Sequence, residues 1–267
     1  MSPSGKLVIV KLGGSVITQK ASTPPEVDKN NISRIAEELK THDSQLIVIL
    51  GGGAHGHQAA HAHGYGNPAT PPSELLKGIP HVRHNMSTLA LEVETILNNT
   101  GIPGVVISPF TAVWLRDGKI ADFPLDLIQK SLDSDFVVIL HGDVCFDTIK
   151  GASILSGDTI AVHLARELSA AALYLGTDVD GVFEDDPNHN PQARLIPLIS
   201  NSNKDEVLKR SGPSSATDVT GGMAKKISEL IKLSSSGTDI AIFNLTIPNR
   251  LSDLISGRPI PCTKIVV

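Results

Sequence analysis

Two stretches of this 267-residue chain decide the fold: LVIVKLGGS at residues 7–15 and LIVILGGGAHGH at residues 46–57. Each joins a run of strand-forming aliphatic residues to a turn of consecutive glycines. Glycine lets the backbone approach a phosphate without a Cβ in the way, and the start of a following helix offers unpaired N–H groups. Two such turns on neighbouring strands predict that two phosphorylated ligands meet there, which indicates phosphoryl transfer.

Further aliphatic runs of strand length recur along the chain, and most are separated by enough residues for a helix. The runs lie at 7–10, 46–50, 104–107, 136–140, 171–175, 239–243 and 265–267. Their alternation with helical stretches predicts an α/β fold, a three-layer αβα sandwich with a mainly parallel central sheet. We expect two closely joined lobes, residues 1–175 and 176–267, that share one continuous sheet.

Local patterns predict the elements around these strands. An apolar stripe within residues 27–39 has near-helical spacing, which places Glu37, Glu38 and Lys40 on the solvent side of a helix. Residues 82–96 have the spacing of a second amphipathic helix, whose apolar face either packs in the core, forms a subunit interface or lines a substrate pocket. Residues 64–80 are rich in glycine and proline and predict a mobile surface loop.

Asp117-Gly118 predicts a β-hairpin, because a type I′ turn needs the positive φ that this pair adopts at low cost. Residues 184–217 carry several proline, asparagine and serine residues and are expected to form loops around short elements, whereas 218–233 returns to a helical pattern.

Composition excludes several classes of protein. A formal charge of -5 gives no general attraction to nucleic acid, and the single tryptophan and two tyrosines form no stacking platform. The apolar runs are far shorter than the ~20 residues of a membrane helix, and no secretory signal is evident. Cys145 and Cys262 lack zinc-site spacing and are expected to be free thiols. We therefore expect a cytoplasmic protein with neither nucleic-acid nor membrane partners.

Lysines accompany the glycine turns. Lys11 precedes the first turn and Lys20 follows it, while the paired glycines at 221–222 are followed by Lys225 and Lys226. Ammonium groups at such positions can neutralise phosphate oxygens, and their repetition favours a shared polyphosphate site over solvated surface lysines. A Walker ending is missing and the 51–56 spacing does not fit a dinucleotide fingerprint, which disfavours P-loop and Rossmann enzymes.

The combination of motifs resembles the amino-acid kinase superfamily, and within it the isopentenyl phosphate kinases. The resemblance covers almost the whole chain and rests on KLGGS (11–15), GGGAHGH (51–57), HGD (141–143), LSGD (155–158), TDVDGV (177–182) and DVTGGM (218–223). It implies the amino-acid kinase fold, an acceptor-binding N-terminal lobe, a nucleotide-binding C-terminal lobe and a homodimer.

The resemblance implies a catalytic set made of Lys11, Lys20, His57, Asp158 and Lys226. The lysines would contact the phosphates of ATP, with Lys226 preferred over Lys225. Asp158 would orient the lysines, and it is also a candidate cap for a helix beginning near Thr159. His57 would hold the acceptor phosphate, since an imidazole can donate to a phosphate oxygen.

The same resemblance implies the binding contacts. The nucleotide would be bound by Lys11, Gly13, Gly14, Ser15, Gly53, Asp178, Gly181, Gly222 and Lys226. The acceptor would be bound by Gly52, Gly53, Gly56, His57, Val82, Met86 and Gly157. The roles of Asp143 and Asp180 stay open, because aspartates are common in turns.

The resemblance also implies the cofactors, ATP and a Mg²⁺ ion carried by the nucleotide. No protein-bound metal is expected, since the His57 and His61 pair lacks a third ligand for zinc. Two alternatives remain open at the level of sequence. One is a related kinase acting on another small phosphate or phosphonate such as fosfomycin, and the other is a non-catalytic nucleotide-binding module.

Overall fold

The computed structural model describes residues 6–19, 25–40, 44–187, 189–210, 222–234 and 237–267, with residues 222–225 as backbone only. The strands are β1 (Val8–Leu12), β2 (Leu46–Leu50), β3 (Gly104–Val106), β4 (Trp114–Arg116), β5 (Lys119–Asp122), β6 (Val137–His141), β7 (Asp143–Asp147), β8 (Gly151–Leu155), β9 (Ala172–Thr177), β10 (Leu198–Ser200), β11 (Asp239–Asn244) and β12 (Cys262–Val266). The helices are α1 (Gly14–Ile17), α2 (Lys29–Leu39), α3 (Gly53–Ala62), α4 (Pro72–Asn99), α5 (Asp126–Leu132), α6 (Gly157–Glu167), α7 (Lys204–Arg210), α8 (Gly222–Ser234) and α9 (Arg250–Ile255).

A mainly parallel sheet forms the centre of the molecule, with the strand order β10-β12-β11-β9-β1-β2-β6-β3 among the described residues. Alternate residues of β1 face opposite sides, so Val8 and Val10 pack with α2 and α4, whereas Ile9 packs with α6 and α8. Both faces of the sheet are covered, and every residue of β1 and β2 is buried. The predicted α/β fold with a mainly parallel central sheet is confirmed.

A smaller sheet, β5-β4-β7-β8, lies beside the main one. It contains the hairpin predicted at Asp117-Gly118, whose residues have φ values of 51° and 74° as a type I′ turn requires. The antiparallel pair β7–β8 was not predicted from the sequence. Its second strand leads directly into α6 and so contributes to the site described below.

The lobe boundary expected after residue 175 lies within β9, which pairs with β1 on one side and β11 on the other. The main sheet therefore runs through both expected lobes. The division into an acceptor lobe and a nucleotide lobe stays a prediction.

Part of the loop predicted for residues 64–80 is helical. Helix α4 begins at Pro72 and continues through Pro80. Proline is favourable in the first turn of a helix because its missing N–H has no partner there in any case. Pro80 cannot donate the helical hydrogen bond that another residue would make there. Gly78 and Ile79 are buried, and Gly78 packs so closely on His63 that a Cβ would lie 2.7 Å from that residue. This packing offsets the lost hydrogen bond.

Glu38 was expected to face solvent, and this expectation is wrong. Its side chain is buried, where it accepts a hydrogen bond from Arg34 and two from the backbone N–H groups of Leu251 and Ser252. These two N–H groups belong to the first turn of α9 and have no partner within that helix. A carboxylate from α2 satisfies them and joins the two helices.

Candidate active site

The two glycine turns meet at the carboxyl edge of the main sheet. Strands β1 and β2 pair in parallel, so Gly13 and Gly51 follow neighbouring strands at the same edge. The turns pack backbone to backbone: a Cβ on Gly14 would lie 2.5 Å from the Cα of Gly53, and one on Gly51 would lie 2.7 Å from the nitrogen of Gly14. Only glycine permits this approach, which brings the two predicted phosphate cradles together.

The hydroxyl of Thr18 joins the two turns directly. Its Oγ1 donates a hydrogen bond to the carbonyl oxygen of Gly14 at 2.8 Å and accepts one from the backbone N–H of Ala54 at 3.1 Å. Thr18 follows α1, whereas Ala54 lies in the first turn of α3. One buried side chain thus fixes the position of the first turn relative to the second.

Beside the first turn, one carboxylate holds two ammonium groups. Lys11 Nζ lies 3.1 Å from Asp158 Oδ1, and Lys226 Nζ lies 3.3 Å from Asp158 Oδ2. Lys11 comes from β1, Asp158 from the first turn of α6, and Lys226 from α8. Three elements far apart in sequence therefore bring together the predicted lysine pair and its orienting carboxylate.

The pKa values of this cluster reflect both burial and charge. Burial alone would raise the pKa of Asp158, but Lys11 and Lys226 lower it to about 2. Burial lowers the pKa of Lys11, and the repulsion of Lys226 adds to this effect while Asp158 opposes it. A carboxylate ionised at neutral pH beside two ammonium groups leaves the cluster with an excess of positive charge, which suits an incoming polyphosphate.

The start of α6 corrects one expectation. Ser156 is the N-cap, since its side-chain oxygen accepts a hydrogen bond from the backbone N–H of Thr159. The helix begins at Gly157, so Asp158 lies inside its first turn and does not cap it. The Asp158 carboxylate is directed to the lysines instead.

These elements surround a pocket of about 630 Å³. Most of the predicted site residues line it: Lys11, Gly13, Gly14, Ser15, Gly52, Gly53, Gly56, His57, Val82, Met86, Gly157, Asp158 and Lys226. His57 lies in the first half of α3 and its side chain is exposed, whereas Val82 and Met86 are buried residues of α4. The pocket therefore has a cationic end at Lys11 and Lys226 and an apolar wall on α4.

Of the remaining predicted residues, Asp178 and Gly181 are not among the described residues that line this pocket. Asp178 follows β9 and accepts a hydrogen bond from Thr177, and its charge tends to raise the pKa of Lys11. Gly181 packs against Thr263, and Gly222 is the first residue of α8. Lys20 lies outside the described residues.

Sequence reasoning assigned no role to several residues that line the pocket: Ala54, Gln58, Ala60, Gly142, Asp143, Ile154, Leu155, Ser156 and Thr177. Gly142 follows β6, and a Cβ there would lie 3.2 Å from the nitrogen of Gly157. Ile154 comes from β8, a strand whose residues do not alternate clearly between apolar and polar types. The HGD motif at 141–143 was the available signal for Gly142 and Asp143.

Asp143 belongs to a buried polar network in the pocket wall. It accepts hydrogen bonds from the hydroxyl of Ser108 at 3.2 Å and from the N–H of Val144 at 2.9 Å, and Arg83 Nε lies 3.8 Å away. Burial raises the pKa of Asp143, and the neighbouring His141 and Arg83 oppose this shift. Asp180, the other aspartate left open, pairs with Arg250 at 2.6 Å and lies away from the pocket lining.

The histidines near His57 have different environments. His55 is buried, and burial lowers its pKa. His63 stacks on His81 with ring centroids 4.6 Å apart. Within the described ranges, no group of three or more His, Cys, Asp or Glu side chains is arranged to hold a metal ion. No helix in that same part of the chain is long and apolar enough to cross a bilayer.

Comparisons with known proteins agree with this geometry. Residues 6–244 match the model of the amino acid kinase family. The chain is 33% identical to the isopentenyl phosphate kinase of Methanothermobacter thermautotrophicus over 265 residues, which cover 97% of this chain and 98% of that protein.

Two solved structures are similar over nearly their whole length. One is an isopentenyl phosphate kinase with a TM-score of 0.80 and 30% identity, covering 97% of this chain and all of the other. The second is a product complex of the Thermoplasma acidophilum isopentenyl phosphate kinase, with a TM-score of 0.78 and 26% identity, covering 97% of this chain and 99% of the other. The chain belongs to the amino acid kinase family and, within it, to the isopentenyl phosphate kinases.

Proposed function

We propose that this chain transfers the γ-phosphoryl group of ATP to isopentenyl phosphate, giving isopentenyl diphosphate and ADP. The observation that carries the proposal is the single pocket in which the Lys11–Asp158–Lys226 cluster, both glycine turns and His57 come together. Family membership supports the same reaction, because isopentenyl phosphate kinases match nearly the whole chain at 30–33% identity.

The lysines act on the transferring group. Lys11 and Lys226 bind the ATP phosphates and neutralise the charge that spreads over the equatorial oxygens during transfer. Asp158 contacts both ammonium groups, one through each carboxylate oxygen, and so positions them side by side. Removal of one such preorganised charge contact costs about 3–4 kcal/mol in comparable sites.

The acceptor side requires no strong general base. A phosphate monoester is already ionised at neutral pH, so its oxygen attacks the γ-phosphorus directly and ADP leaves with the electron pair of the broken P–O bond. His57 and the N–H groups at the start of α3 hold the acceptor phosphate, while Val82 and Met86 contact its short hydrocarbon chain. Catalysis then comes from positioning and electrostatics.

Mg²⁺ is expected to enter with the nucleotide. Both carboxylates that line the pocket in the described part of the chain, Asp143 and Asp158, already have protein donors as partners. Mg²⁺ keeps several waters and is commonly bound through nucleotide phosphates, which fits this donor set. The ion would supply additional neutralisation of the phosphate charge.

A panel of acceptors tests the proposal. Steady-state rates with ATP are measured for isopentenyl phosphate, dimethylallyl phosphate, fosfomycin, UMP, acetylglutamate and carbamate. We expect the highest kcat/KM with isopentenyl phosphate. A higher value with fosfomycin or a carboxylate would reject this acceptor, and ATP binding without turnover on any acceptor would support a non-catalytic module.

Replacement of His57 by alanine tests how the acceptor is chosen. We expect His57→Ala to raise KM for isopentenyl phosphate or to lower kcat, while KM for ATP stays within about twofold, because the lost donor faces the acceptor. His61→Ala, on the same helix outside the pocket lining, is the matched control. Unchanged kinetics in His57→Ala would remove this residue from the mechanism.

The homodimer and the cytoplasmic location expected from the sequence remain proposals. The partly exposed side chains of Trp114 and Phe146 stack with ring centroids 5.8 Å apart and present an apolar surface suited to a second subunit. Light scattering during size-exclusion chromatography would give about twice the chain mass for a dimer.

A further inference from the structure

Two walls enclose the apolar end of the candidate active-site pocket. Val82 and Met86 of α4 belong to one wall, and Asp143 of the HGD motif, the first residue of β7, belongs to the other. Helix α4 packs on both β7 and β8. Asp143 also pairs with Leu155, the last residue of β8, which leads into the start of α6. A displacement of β7 relative to α4 would therefore change the shape of the pocket.

Arg83 links these two walls. It lies on α4 beside Val82, and its Nη2 donates a hydrogen bond to the hydroxyl of Ser108 at 3.2 Å. The same hydroxyl donates to Oδ2 of Asp143 at 3.2 Å, and Arg83 Nε lies 3.8 Å from that oxygen. Because a serine hydroxyl can accept one hydrogen bond while it donates another, the guanidinium faces the carboxylate directly and is also linked to it through Ser108.

The guanidinium of Arg83 is held in one place by its surroundings. Its central carbon lies 4.3 Å from the ring centroid of Phe110, a cation–π contact with the turn that follows β3. Arg83 Nε is buried and has no hydrogen-bond partner among the described residues. An approach of about 1 Å between the walls would let this N–H donate to Asp143 directly.

The carboxylate of Asp143 needs a positive partner. Its side chain is completely buried, and a buried carboxylate without a counter-charge is costly. His141 Nδ1 lies 3.7 Å from Asp143, but it lies 2.9 Å from the carbonyl oxygen of Gly142, and the imidazole is charged only when it is protonated. Because an arginine is always protonated, Arg83 supplies the permanent positive charge beside Asp143.

We propose that Arg83 is a positioning residue for the acceptor: through Asp143, it holds the α4 wall against the β7 wall and so fixes the width of the apolar end of the pocket. Val82 and Met86 then contact the hydrocarbon chain of the acceptor at the distance that this pair sets. The choice of isopentenyl phosphate as the acceptor rests on the proposed function. The link between the two walls rests on the contacts of Arg83 with Ser108 and Asp143 alone.

Equilibrium binding of two alkyl phosphates tests this role without requiring turnover. Titration calorimetry is performed on the full chain with isopentenyl phosphate and with methyl phosphate, which has the same head group and almost no chain. We expect the wild type to bind isopentenyl phosphate more tightly by about tenfold or more, because only its chain is buried against the α4 wall. In Arg83→Gln, we expect this preference to fall by about fivefold or more, while Kd for methyl phosphate stays within about twofold.

Glu94→Ala is the matched control on the same helix. Glu94 accepts a hydrogen bond from the backbone N–H of Val106 at 2.8 Å and so also anchors α4. It lies about 16 Å along the helix from Arg83 and is not among the residues that line the pocket. Both variants should lower the melting temperature, whereas only Arg83→Gln should change the preference for the longer chain. An unchanged preference in Arg83→Gln, or an equal change in Glu94→Ala, would overturn the positioning role.

The variants Asp143→Asn and Arg83→Gln/Asp143→Asn test the pair itself. Because the double variant removes both charges, it should fold even if Arg83→Gln does not, and its preference is then the one compared with that of the wild type. We expect the double variant to lose no more of the preference than the worse single variant, since the two residues act as a unit. Losses that multiply would contradict the pairing.

The wild type separates this inference from the proposed function. A wild-type chain that prefers isopentenyl phosphate in the titrations but does not phosphorylate it would reject the proposed function and leave the role of Arg83 intact. A wild-type chain that binds the two phosphates equally well would overturn the positioning role, whatever its turnover.

Discussion

Thr18 offers a direct test of how the two glycine turns are held together. Thr18→Val keeps the shape of the side chain but removes the hydroxyl that donates to the Gly14 carbonyl and accepts from the Ala54 N–H. Thr18 is 3% exposed, so water cannot readily replace these contacts. The Ala54 N–H is left without an acceptor, which costs about 1–3 kcal/mol, whereas the Gly14 carbonyl keeps the hydrogen bond from the backbone N–H of Thr18 and loses only the bond from the hydroxyl, about 0.5–1.5 kcal/mol. The total loss is about 1.5–4.5 kcal/mol.

The loss of the Thr18 hydroxyl should lower kcat more than it weakens the binding of either substrate. The hydroxyl positions the donor-side turn relative to the acceptor-side turn, and a small displacement between reacting groups has a large effect on phosphoryl transfer. If roughly half of the lost free energy appears in the barrier, kcat falls about 3–40-fold, since about 1.4 kcal/mol corresponds to a factor of ten. Both KM values should change little.

Steady-state kinetics of Thr18→Val and Thr18→Ser separate the effect of losing the hydroxyl from the effect of losing the methyl group. We expect Thr18→Ser to keep kcat within about threefold of wild type, because it retains both hydrogen bonds. Thermal unfolding confirms that both variants are folded at the assay temperature. Wild-type kcat in Thr18→Val, or equal losses in the two variants, would refute a positioning role for the hydroxyl.

Two further predictions concern carboxylates whose pKa values are lowered in the folded chain. The pKa of Asp158 lies at about 2 in the folded chain, below its ordinary value of about 3.9, so its ion pairs stabilise the fold above about pH 4 and are lost as the pH falls towards 2. Urea unfolding between pH 5 and 2 should show this decrease for the wild type, and Asp158→Asn should lack it; equal slopes would contradict the assignment. Asp147 accepts hydrogen bonds from four backbone N–H groups and from Ser153, which hold the pKa of the carboxyl low against its burial. Asp147→Asn should lower the melting temperature by roughly 6–12 °C for a loss of about 3 kcal/mol, whereas the exposed Asp122→Asn of the same small sheet should change it by less than about 2 °C.

Local sequence patterns predicted the elements whose conformation depends mainly on residues that are close together in the chain. The glycine turns after β1 and β2, the hairpin at Asp117-Gly118 and the helix α2 all follow from short-range preferences of backbone and side chain. The pairing of Lys11 and Lys226 with Asp158 needed the family resemblance, because these residues lie on three separate elements. The spacing of residues within any one helix or strand does not predict that these three side chains meet.

The expectations that failed depend on contacts between distant segments. Glu38 has the polarity and helical position of a surface residue, yet it is buried because the start of α9 lacks partners for its N–H groups. The helical part of 64–80 is stabilised by packing of Gly78 against His63 and Tyr65, which follow α3, and this packing outweighs the unfavourable Pro80. Ile154 lines the active-site pocket because β7 and β8 form a hairpin that no strong sequence pattern predicted.

The most direct measurement of the central claim is the ³¹P NMR spectrum of a reaction that contains the protein, ATP, Mg²⁺ and isopentenyl phosphate. The account predicts that the monoester signal of isopentenyl phosphate disappears while the two coupled signals of a diphosphate and those of ADP grow in equal amounts. The His57→Ala variant should form the same product much more slowly. An unchanged monoester signal, with ADP released only as inorganic phosphate appears, would contradict transfer to a phosphate acceptor.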